Sequence, residues 1–132
     1  DDPRVLMVST FQHPLYSYCG VDNPALNLFN VPLAAGEGSE AFRAAVRERW
    51  LPALEAHRPQ LILISAGFDA HREDPLAGLK LTEADYAWVT RELLYVADRH
   101  AQGRIVSSLE GGYALSALGR SATEHVRELI AA

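Results

Sequence analysis

The sequence predicts an α/β fold in which a parallel sheet carries helices on both of its faces. Short apolar stretches alternate with longer segments whose apolar residues recur at helical spacing, in the order strand, strand, helix, strand, helix, strand, helix. This alternation favours parallel strands joined by crossover helices. The length of 132 residues suffices for one hydrophobic core but not two, so we expect a single α/β domain over residues 1–132.

The first half of the chain predicts two strands and one helix. Residues 4–9 are apolar and predict a strand, whereas residues 10–27 contain two prolines, a glycine and several Asx residues and predict a loop. Residues 27–33 predict an edge strand, because the proline within them cannot donate to a ladder. Ser39 is a candidate N-cap for a helix that runs to about residue 56.

The second half predicts two more strands, each followed by a helix. Residues 60–65 form an uninterrupted apolar run, which is typical of a strand buried on both faces. Thr82 is expected to cap a helix that runs to about residue 101. A strand over residues 104–109 and a helix over residues 114–130 complete the predicted fold.

Charge and composition argue against some classes of partner. The net charge of -5 disfavours nucleic acid as a partner, since nucleic-acid surfaces need a basic face. No run of 18 apolar residues occurs, so no membrane partner is expected either. The single cysteine, Cys19, cannot form an intramolecular disulfide and fits a reducing compartment. These features predict a cytoplasmic protein.

Polar residues follow the predicted strands where a ligand site is expected. Open parallel sheets bind ligands beyond the carboxyl ends of their strands. Three segments are predicted to meet at that edge, namely residues 10–20, 66–78 and 110–113.

Asp69 lies at such a strand end, where a carboxylate is costly unless it is paired, hydrogen-bonded or bound to a metal. It could cap a turn or pair with Arg72. With His71 it also forms a D-x-H pattern of two zinc-ligand types, although two ligands do not close a site. The residues alone leave these alternatives open.

Tyr113 follows a Gly-Gly pair after another predicted strand. A phenol at the sheet edge could donate a hydrogen bond to a developing oxyanion, or it could pack against the helix that follows. The spacing does not decide between the two.

Three stretches together carry a family resemblance. SAGFDAHREDPLAG, SSLEGGYAL and, upstream, STFQHPLYSYCG resemble the zinc-dependent histone deacetylase superfamily, above all its bacterial and class II-like members, which include acetylpolyamine amidohydrolases. The resemblance extends over essentially the whole chain. It implies the arginase-like three-layer α/β/α fold, of which this chain would be the C-terminal part of the catalytic domain.

The resemblance implies catalytic roles for two residues. Asp69 matches a zinc-ligating aspartate, and Tyr113 matches the tyrosine that stabilises the tetrahedral oxyanion. Zn2+ would polarise the amide and acidify a water, while a histidine serves as general base and then general acid. The implied substrates are acetyl-lysine or acetylated amines and polyamines.

Further positions are assigned by the same resemblance. Gly111 and Gly112 would shape the wall beside the tyrosine, and Tyr16 and Leu76 would line the substrate tunnel. The stretch 16–20 departs from the Pro- and Gly-containing turn typical of the family, so the tunnel's shape and the substrate stay open.

The resemblance also touches residues outside the zinc site. Val5, Ser9 and Thr10 fall where the family's structural monovalent-cation sites, for K+ or Na+, take oxygen ligands. His71 falls at a variable position, and Asp74 is interpreted as a residue that fixes its loop by hydrogen bonds rather than as a ligand.

One departure from the family pattern limits the functional prediction. The other two zinc ligands and the paired histidines of the family would precede residue 1, and no histidine here stands in a D-x-H-H or H-H arrangement. His57, His100 and His125 fall at or on predicted helices and are interpreted as solvated.

Two hypotheses follow from this departure. The chain carries part of the active site of a zinc-dependent amidohydrolase and is inactive alone, or it is a non-catalytic fragment or interaction module. Missing strands would expose apolar surface, so self-association through that face is expected.

Overall fold

The predicted α/β fold class is confirmed, as a partial α/β domain with parallel strands and helices. The computed structural model describes residues 2–16, 18–22 and 25–132. The parts of the predictions that fall on Asp1, Ser17, Asn23 and Pro24 lie outside the described residues. In chain order the elements are β1 (Met7–Gln12), β2 (Leu28–Leu33), α1 (Ser39–Ala45), a π-helical turn (Val46–Trp50), α2 (Leu51–His57), β3 (Ile62–Ala66), α3 (Glu83–His100), β4 (Ile105–Leu109) and α4 (Leu115–Ala131).

The strands form two parallel pairs. β1 pairs with β2 from Met7 opposite Leu28 onwards, and β3 pairs with β4 from Ile62 opposite Ile105 onwards. The connection from β3 to β4 contains α3, as expected for a parallel crossover. Within each pair, parallel pairing places the carboxyl ends of both strands on the same side, where the ligand site was predicted.

The first strand lies further along the chain than predicted. It runs from Met7 to Gln12, so the loop predicted from residue 10 begins only after Gln12. Its polar end stays extended because it pairs with β2 as far as Leu33, and the N–H of His13 also donates to the carbonyl of Leu33, at 2.9 Å.

The predicted cap of the first helix is wrong. Gly38 is the N-cap, and Ser39 is already helical, with its hydroxyl donating to Asp85 Oδ2 at 2.6 Å. The predicted single helix also contains the π-helical turn, which ends two residues before Pro52. Pro52 has no N–H to offer the carbonyl four residues earlier, so the backbone departs from α geometry there.

α3 begins as predicted. Thr82 is its N-cap, and a capping box joins Thr82 to Asp85, whose Oδ2 accepts the Thr82 N–H at 2.9 Å. Asp85 is fully buried and also accepts a hydrogen bond from Arg43 Nε at 2.8 Å. One carboxylate therefore ties the start of α3 to α1.

The prediction that residues 60–65 are buried on both faces is wrong. Leu63 is 72% exposed and Val106, its partner on β4, is 56% exposed. An uninterrupted apolar run indicates a strand but does not say what covers it. The outer face of β3–β4, defined here as Leu61, Leu63, Ser65, Val106 and Ser108, is covered by no described element.

The opposite face of the strands packs against the helices. Two groups of buried side chains meet at Trp50, Leu51 and Ile64, which contact both. One group lies towards the strand ends and includes Phe68 and Tyr86. No helix within the described residues is long and apolar enough to cross a membrane.

Candidate active site at the strand ends

The ends of β3 and β4 interlock through backbone hydrogen bonds. The N–H of Phe68 donates to the carbonyl of Gly111 at 2.7 Å, and the N–H of Glu110 donates to the carbonyl of Ala66 at 3.0 Å. The segments 66–69 and 110–113 therefore form a single edge, as the sequence predicted for two of its three converging segments.

The third segment joins this edge through Gln12. Its Oε1 accepts the N–H of Gly78 at 2.6 Å, which connects the end of β1 to the loop that follows Asp69. Segment 10–20 therefore contacts segment 66–78 at the end of β1, as predicted.

Two glycines make room for the Asp69 carboxylate. A Cβ at Gly111 would lie 2.9 Å from Asp69 Oδ2, and a Cβ at Gly67 would lie 3.1 Å from Asp69 Oδ1 and 3.2 Å from Glu110 Oε2. Asp69 is half-buried, and burial is the main reason why its pKa is raised, with the nearby Asp74 charge adding to the shift.

Of the alternatives left open for Asp69, pairing with Arg72 is excluded, because no ion pair joins them within the described ranges. The dipole of its own backbone N–H partly offsets the rise in the pKa of Asp69. A half-buried carboxylate at a strand end, with no cationic side chain against it in the described residues, fits the environment of a metal ligand.

The turn before Tyr113 requires glycine at position 112. Gly112 has a φ of 138°, and a Cβ there would lie 3.0 Å from Leu118 Cδ1 and 3.1 Å from Phe68 Cβ. Tyr113 follows this turn and is 54% exposed, so it is not buried against α4.

Asp74 fixes its loop by hydrogen bonds, as predicted. It is only 7% exposed, and its Oδ1 accepts the N–H groups of Leu76 at 2.9 Å and Ala77 at 3.2 Å. Its Oδ2 accepts the N–H of Tyr113 at 2.9 Å. The sequence did not indicate this last contact, which links two separate loops of the edge.

The predicted substrate-lining residues lie at the surface. Tyr16 is 90% exposed and Leu76 is 62% exposed. Tyr16 lines an open pocket of about 230 Å³ with residues of β1 and β2, among them Ser9, Phe11 and Asn30.

The residues predicted for structural monovalent-cation sites lie on β1 or just before it. The Val5 carbonyl already accepts a hydrogen bond from Asn27 Nδ2 at 2.9 Å. Ser9 and Thr10 are neighbours on β1, so their side chains point to opposite faces. Structural K+ or Na+ sites at these residues stay a prediction.

His71 belongs to a second polar cluster that the sequence did not indicate. Its ring is 1% exposed, Nδ1 accepts the N–H of Glu73 at 3.1 Å, and Nε2 lies 3.3 Å from Glu83 Oε2. The Arg120 guanidinium pairs with both Glu73 and Glu83, and it is the main reason why the pKa of Glu83 falls to about 2.

The side chains of His71, Glu73 and Glu83 are close enough to hold a metal ion, but their hydrogen bonds and ion pairs disfavour metal binding. Because Nδ1 accepts the Glu73 N–H, the proton of a neutral His71 lies on Nε2, the atom that would have to bind the ion. Arg120 already compensates both carboxylates. The cluster is best explained as an anchor that ties the 70–78 loop to α3 and α4.

The interpretation of His125 as solvated is wrong. It is 7% exposed, with Nδ1 2.7 Å from Thr90 Oγ1 and Nε2 2.8 Å from Ser107 Oγ. Thr90 donates its own proton to the Tyr86 carbonyl, so the His125 Nδ1–H is the donor to Thr90. The spacing of Leu118, Ala122 and His125 along one helix face could have indicated this burial.

His100 is also less solvated than predicted, because its Nε2 lies 2.6 Å from Glu55 Oε2 and its side chain is 14% exposed.

Comparison with known proteins identifies the family. Residues 1–129 match the histone deacetylase domain. The chain belongs to the histone deacetylase family. Among curated relatives, a probable deacetylase of Archaeoglobus fulgidus is 39% identical over 121 residues, which cover 87% of this chain and 34% of the relative.

Solved structures of deacetylase-like proteins share the fold. The HD domain of HDA15 superposes with a TM-score of 0.87 at 32% identity, over 96% of this chain and 38% of that one. An acetylpolyamine aminohydrolase from Burkholderia pseudomallei has a TM-score of 0.81 at 24% identity, over 96% of this chain and 38% of that one. This histone deacetylase family chain thus spans between 34% and 38% of the length of each of these proteins.

Proposed function

We propose that this chain carries part of the active site of a zinc-dependent amidohydrolase that removes acetyl groups from acetyl-lysine or from acetylated amines such as polyamines. The observation that supports it most is Asp69, a half-buried carboxylate at a strand end for which Gly67 and Gly111 leave room. Membership of the deacetylase family supports the acetyl amide as the bond that is hydrolysed.

Asp69 is the residue of this chain that would ligate zinc. Its raised pKa reflects a carboxylate whose charge is poorly solvated, and a bound cation would compensate that charge. When bound, zinc would supply Lewis-acid polarisation of the substrate carbonyl and would lower the pKa of water. Because Gly111 has no side chain, the Asp69 carboxylate can lie at this edge.

Tyr113 would act on the substrate rather than on the metal. Its exposed phenol would donate a hydrogen bond to the oxygen of the acetyl carbonyl as negative charge develops there. Gly112 holds the backbone turn that places Tyr113 at the edge, and the exposed Tyr16 and Leu76 would contact the chain of the substrate.

The rest of the active site would come from residues outside this chain. Within the described residues, the three metal-capable side chains that cluster are His71, Glu73 and Glu83, and Asp69 is not among them. A catalytic zinc site takes three protein ligands, so we propose that the chain alone is inactive and is part of a single larger catalytic domain.

The predictions of a cytoplasmic location and of no nucleic-acid or membrane partner are kept in this proposal.

The outer face of β3–β4 supports a further element of the proposal. It places Leu63 and Val106 side by side, both more than half exposed, and no described element covers them. We propose that the isolated chain buries this face by self-association, because contiguous exposed apolar surface is unfavourable in water.

The zinc content of the purified chain and the activity of the complete protein test the function. We expect less than about a tenth of an equivalent of zinc on the chain alone, because one carboxylate cannot hold it. In the complete protein, Asp69→Asn should abolish zinc binding and hydrolysis of acetyl-lysine peptides and acetylputrescine. Tyr113→Phe should lower kcat by about 100-fold while zinc stays bound.

Tyr95→Phe is the matched control, since Tyr95 lies on the exposed side of α3 and loses the same hydroxyl. Full activity of the Asp69→Asn protein would overturn the proposed function. A full equivalent of zinc on the isolated chain, lost in Asp69→Asn, would contradict the claim that its remaining ligands lie elsewhere.

A further inference from the structure

We propose that Asp74 is a positioning residue that holds Tyr113 in the active site. The inference rests on the proposed function, since it assigns to Tyr113 the role of donor to the substrate carbonyl. It goes further by naming the group that fixes the donor's backbone. In this role Asp74 acts through the backbone of Tyr113 rather than on the reacting atoms.

The geometry links two loops through one side chain. Oδ2 of Asp74 accepts the N–H of Tyr113 at 2.9 Å, across 39 residues of sequence. Oδ1 accepts the N–H groups of Leu76 and Ala77. The same carboxylate therefore fixes the proposed oxyanion donor and the proposed substrate-lining Leu76 relative to each other.

The Tyr113 N–H lies outside any helix or strand, and Asp74 provides its acceptor. Gly112 stands at a φ of 138°, so the chain turns sharply just before Tyr113 and the Tyr113 N–H lies outside α4, which begins at Leu115. Asp74 supplies the acceptor for that N–H, and charge-assisted hydrogen bonds of this kind are stronger than neutral ones.

Asp74 is better suited to this role than to metal binding. It is 7% exposed, and its two oxygens together accept three backbone N–H groups. A metal would have to displace these donors, and Asp74 is not part of the metal-capable cluster found in the described residues. Its charge is thus balanced by backbone dipoles, which is how a buried carboxylate persists without a cation.

Asp74→Asn tests the hydrogen bond to the Tyr113 N–H while leaving the size of the side chain nearly unchanged. Asparagine has nearly the same volume, but its NH2 group cannot accept a hydrogen bond. Its one oxygen keeps two hydrogen bonds by staying with the N–H groups of Leu76 and Ala77, so the Tyr113 N–H is expected to lose its acceptor. Glu73→Gln is the matched control, because it removes one negative charge from the same loop and Glu73 makes no hydrogen bond to Tyr113.

The first measurement is amide hydrogen exchange on the 132-residue chain labelled with 15N-tyrosine, which gives five signals. In the unmodified chain the Tyr113 amide should exchange at least about tenfold more slowly than an unprotected amide. Asp74→Asn should remove that protection, Glu73→Gln should keep it, and Tyr86 and Tyr95 on α3 should report an intact fold in both. An unprotected Tyr113 amide in the unmodified chain would overturn the proposal, even if the Asp74 variant fails to fold.

The second measurement is kinetic and uses the complete protein. Asp74→Asn should lower kcat at least about tenfold, but should add little to the loss already caused by Tyr113→Phe, because the two changes act on one interaction. Additive losses would mean that Asp74 supports the fold generally, and would overturn the positioning role. An unmodified protein without deacetylase activity would contradict the proposed function alone, since the exchange data would still test the contact.

Discussion

Gly111 lies so close to Asp69 that a side chain at position 111 would meet the carboxylate, with a Cβ only 2.9 Å from Asp69 Oδ2. Gly112, the next residue, is constrained differently. Its φ of 138° and the contacts that a Cβ would make with Leu118 and Phe68 concern the backbone turn and the packed core. Two adjacent glycines therefore serve two purposes, one for the carboxylate and one for the fold.

The two glycines should differ when they are replaced by alanine. Gly112→Ala should cost about 3 kcal/mol of unfolding free energy, because it combines backbone strain with overpacking. Gly111→Ala should cost less than about 1 kcal/mol, since only the end of the Asp69 side chain has to move. Urea denaturation of both variants measures the difference, and equal losses would contradict it.

Gly119→Ala is the control for this pair. Gly119 lies within α4, and nothing stands within 4 Å of a Cβ built there. Alanine should stabilise the chain by about 1 kcal/mol, because glycine is a poor helix former.

The fully buried Asp85 should be the most sensitive charged residue between α1 and α3. It accepts hydrogen bonds from Ser39, Arg43 and Thr82. Asp85→Ala removes the carboxylate partner of Arg43 and the acceptor of Ser39 and Thr82, and should cost about 3 to 5 kcal/mol in denaturant unfolding. Asp98→Asn, at an exposed position of the same helix, should stay within about 0.5 kcal/mol of the unmodified chain. A small effect at Asp85 would show that the network contributes little.

His125 should make stability depend on pH. Burial lowers its pKa, so the unfolded chain takes up a proton at a higher pH than the folded chain does. Stability should be complete above about pH 6.5, the ordinary histidine value, and should fall as the pH drops below it, levelling off once the folded pKa is passed.

Urea unfolding of the His125→Gln variant between pH 8 and pH 5 tests this sign. The variant should be less stable than the unmodified chain at pH 8, because Thr90 and Ser107 lose a partner. Its stability should fall less between about pH 6.5 and pH 5. His57→Gln, outside this network, should preserve the original slope, and an unchanged slope in His125→Gln would contradict the prediction.

Leu63→Lys should weaken self-association without unfolding the chain. Leu63 is exposed on the outer face of β3–β4, so lysine there loses no core contact and adds charge to the apolar face. Sedimentation equilibrium should give a lower average mass for Leu63→Lys than for the unmodified chain. Val126→Lys, on the exposed side of α4, should not change the mass. A monomeric unmodified chain would contradict the proposal.

Local features of the fold were predictable because neighbouring residues determine them. The alternation of strands and helices predicted the fold class, and Thr82 predicted the start of α3 through a capping box that spans four residues. The strand ends that hold Asp69 and Tyr113 also followed from pattern and motif. In each case the deciding interaction lies within one element or in the order of the elements.

The sequence by itself determined the element order, the family and the edge where the site lies. Only the tertiary structure decided that Asp74 binds the Tyr113 N–H, that His125 is buried between Thr90 and Ser107, and that one face of β3–β4 is open. These contacts join residues 18 to 39 positions apart. Periodicity along the chain reports which face of an element is apolar, whereas the partner that meets that face depends on how distant segments pack together.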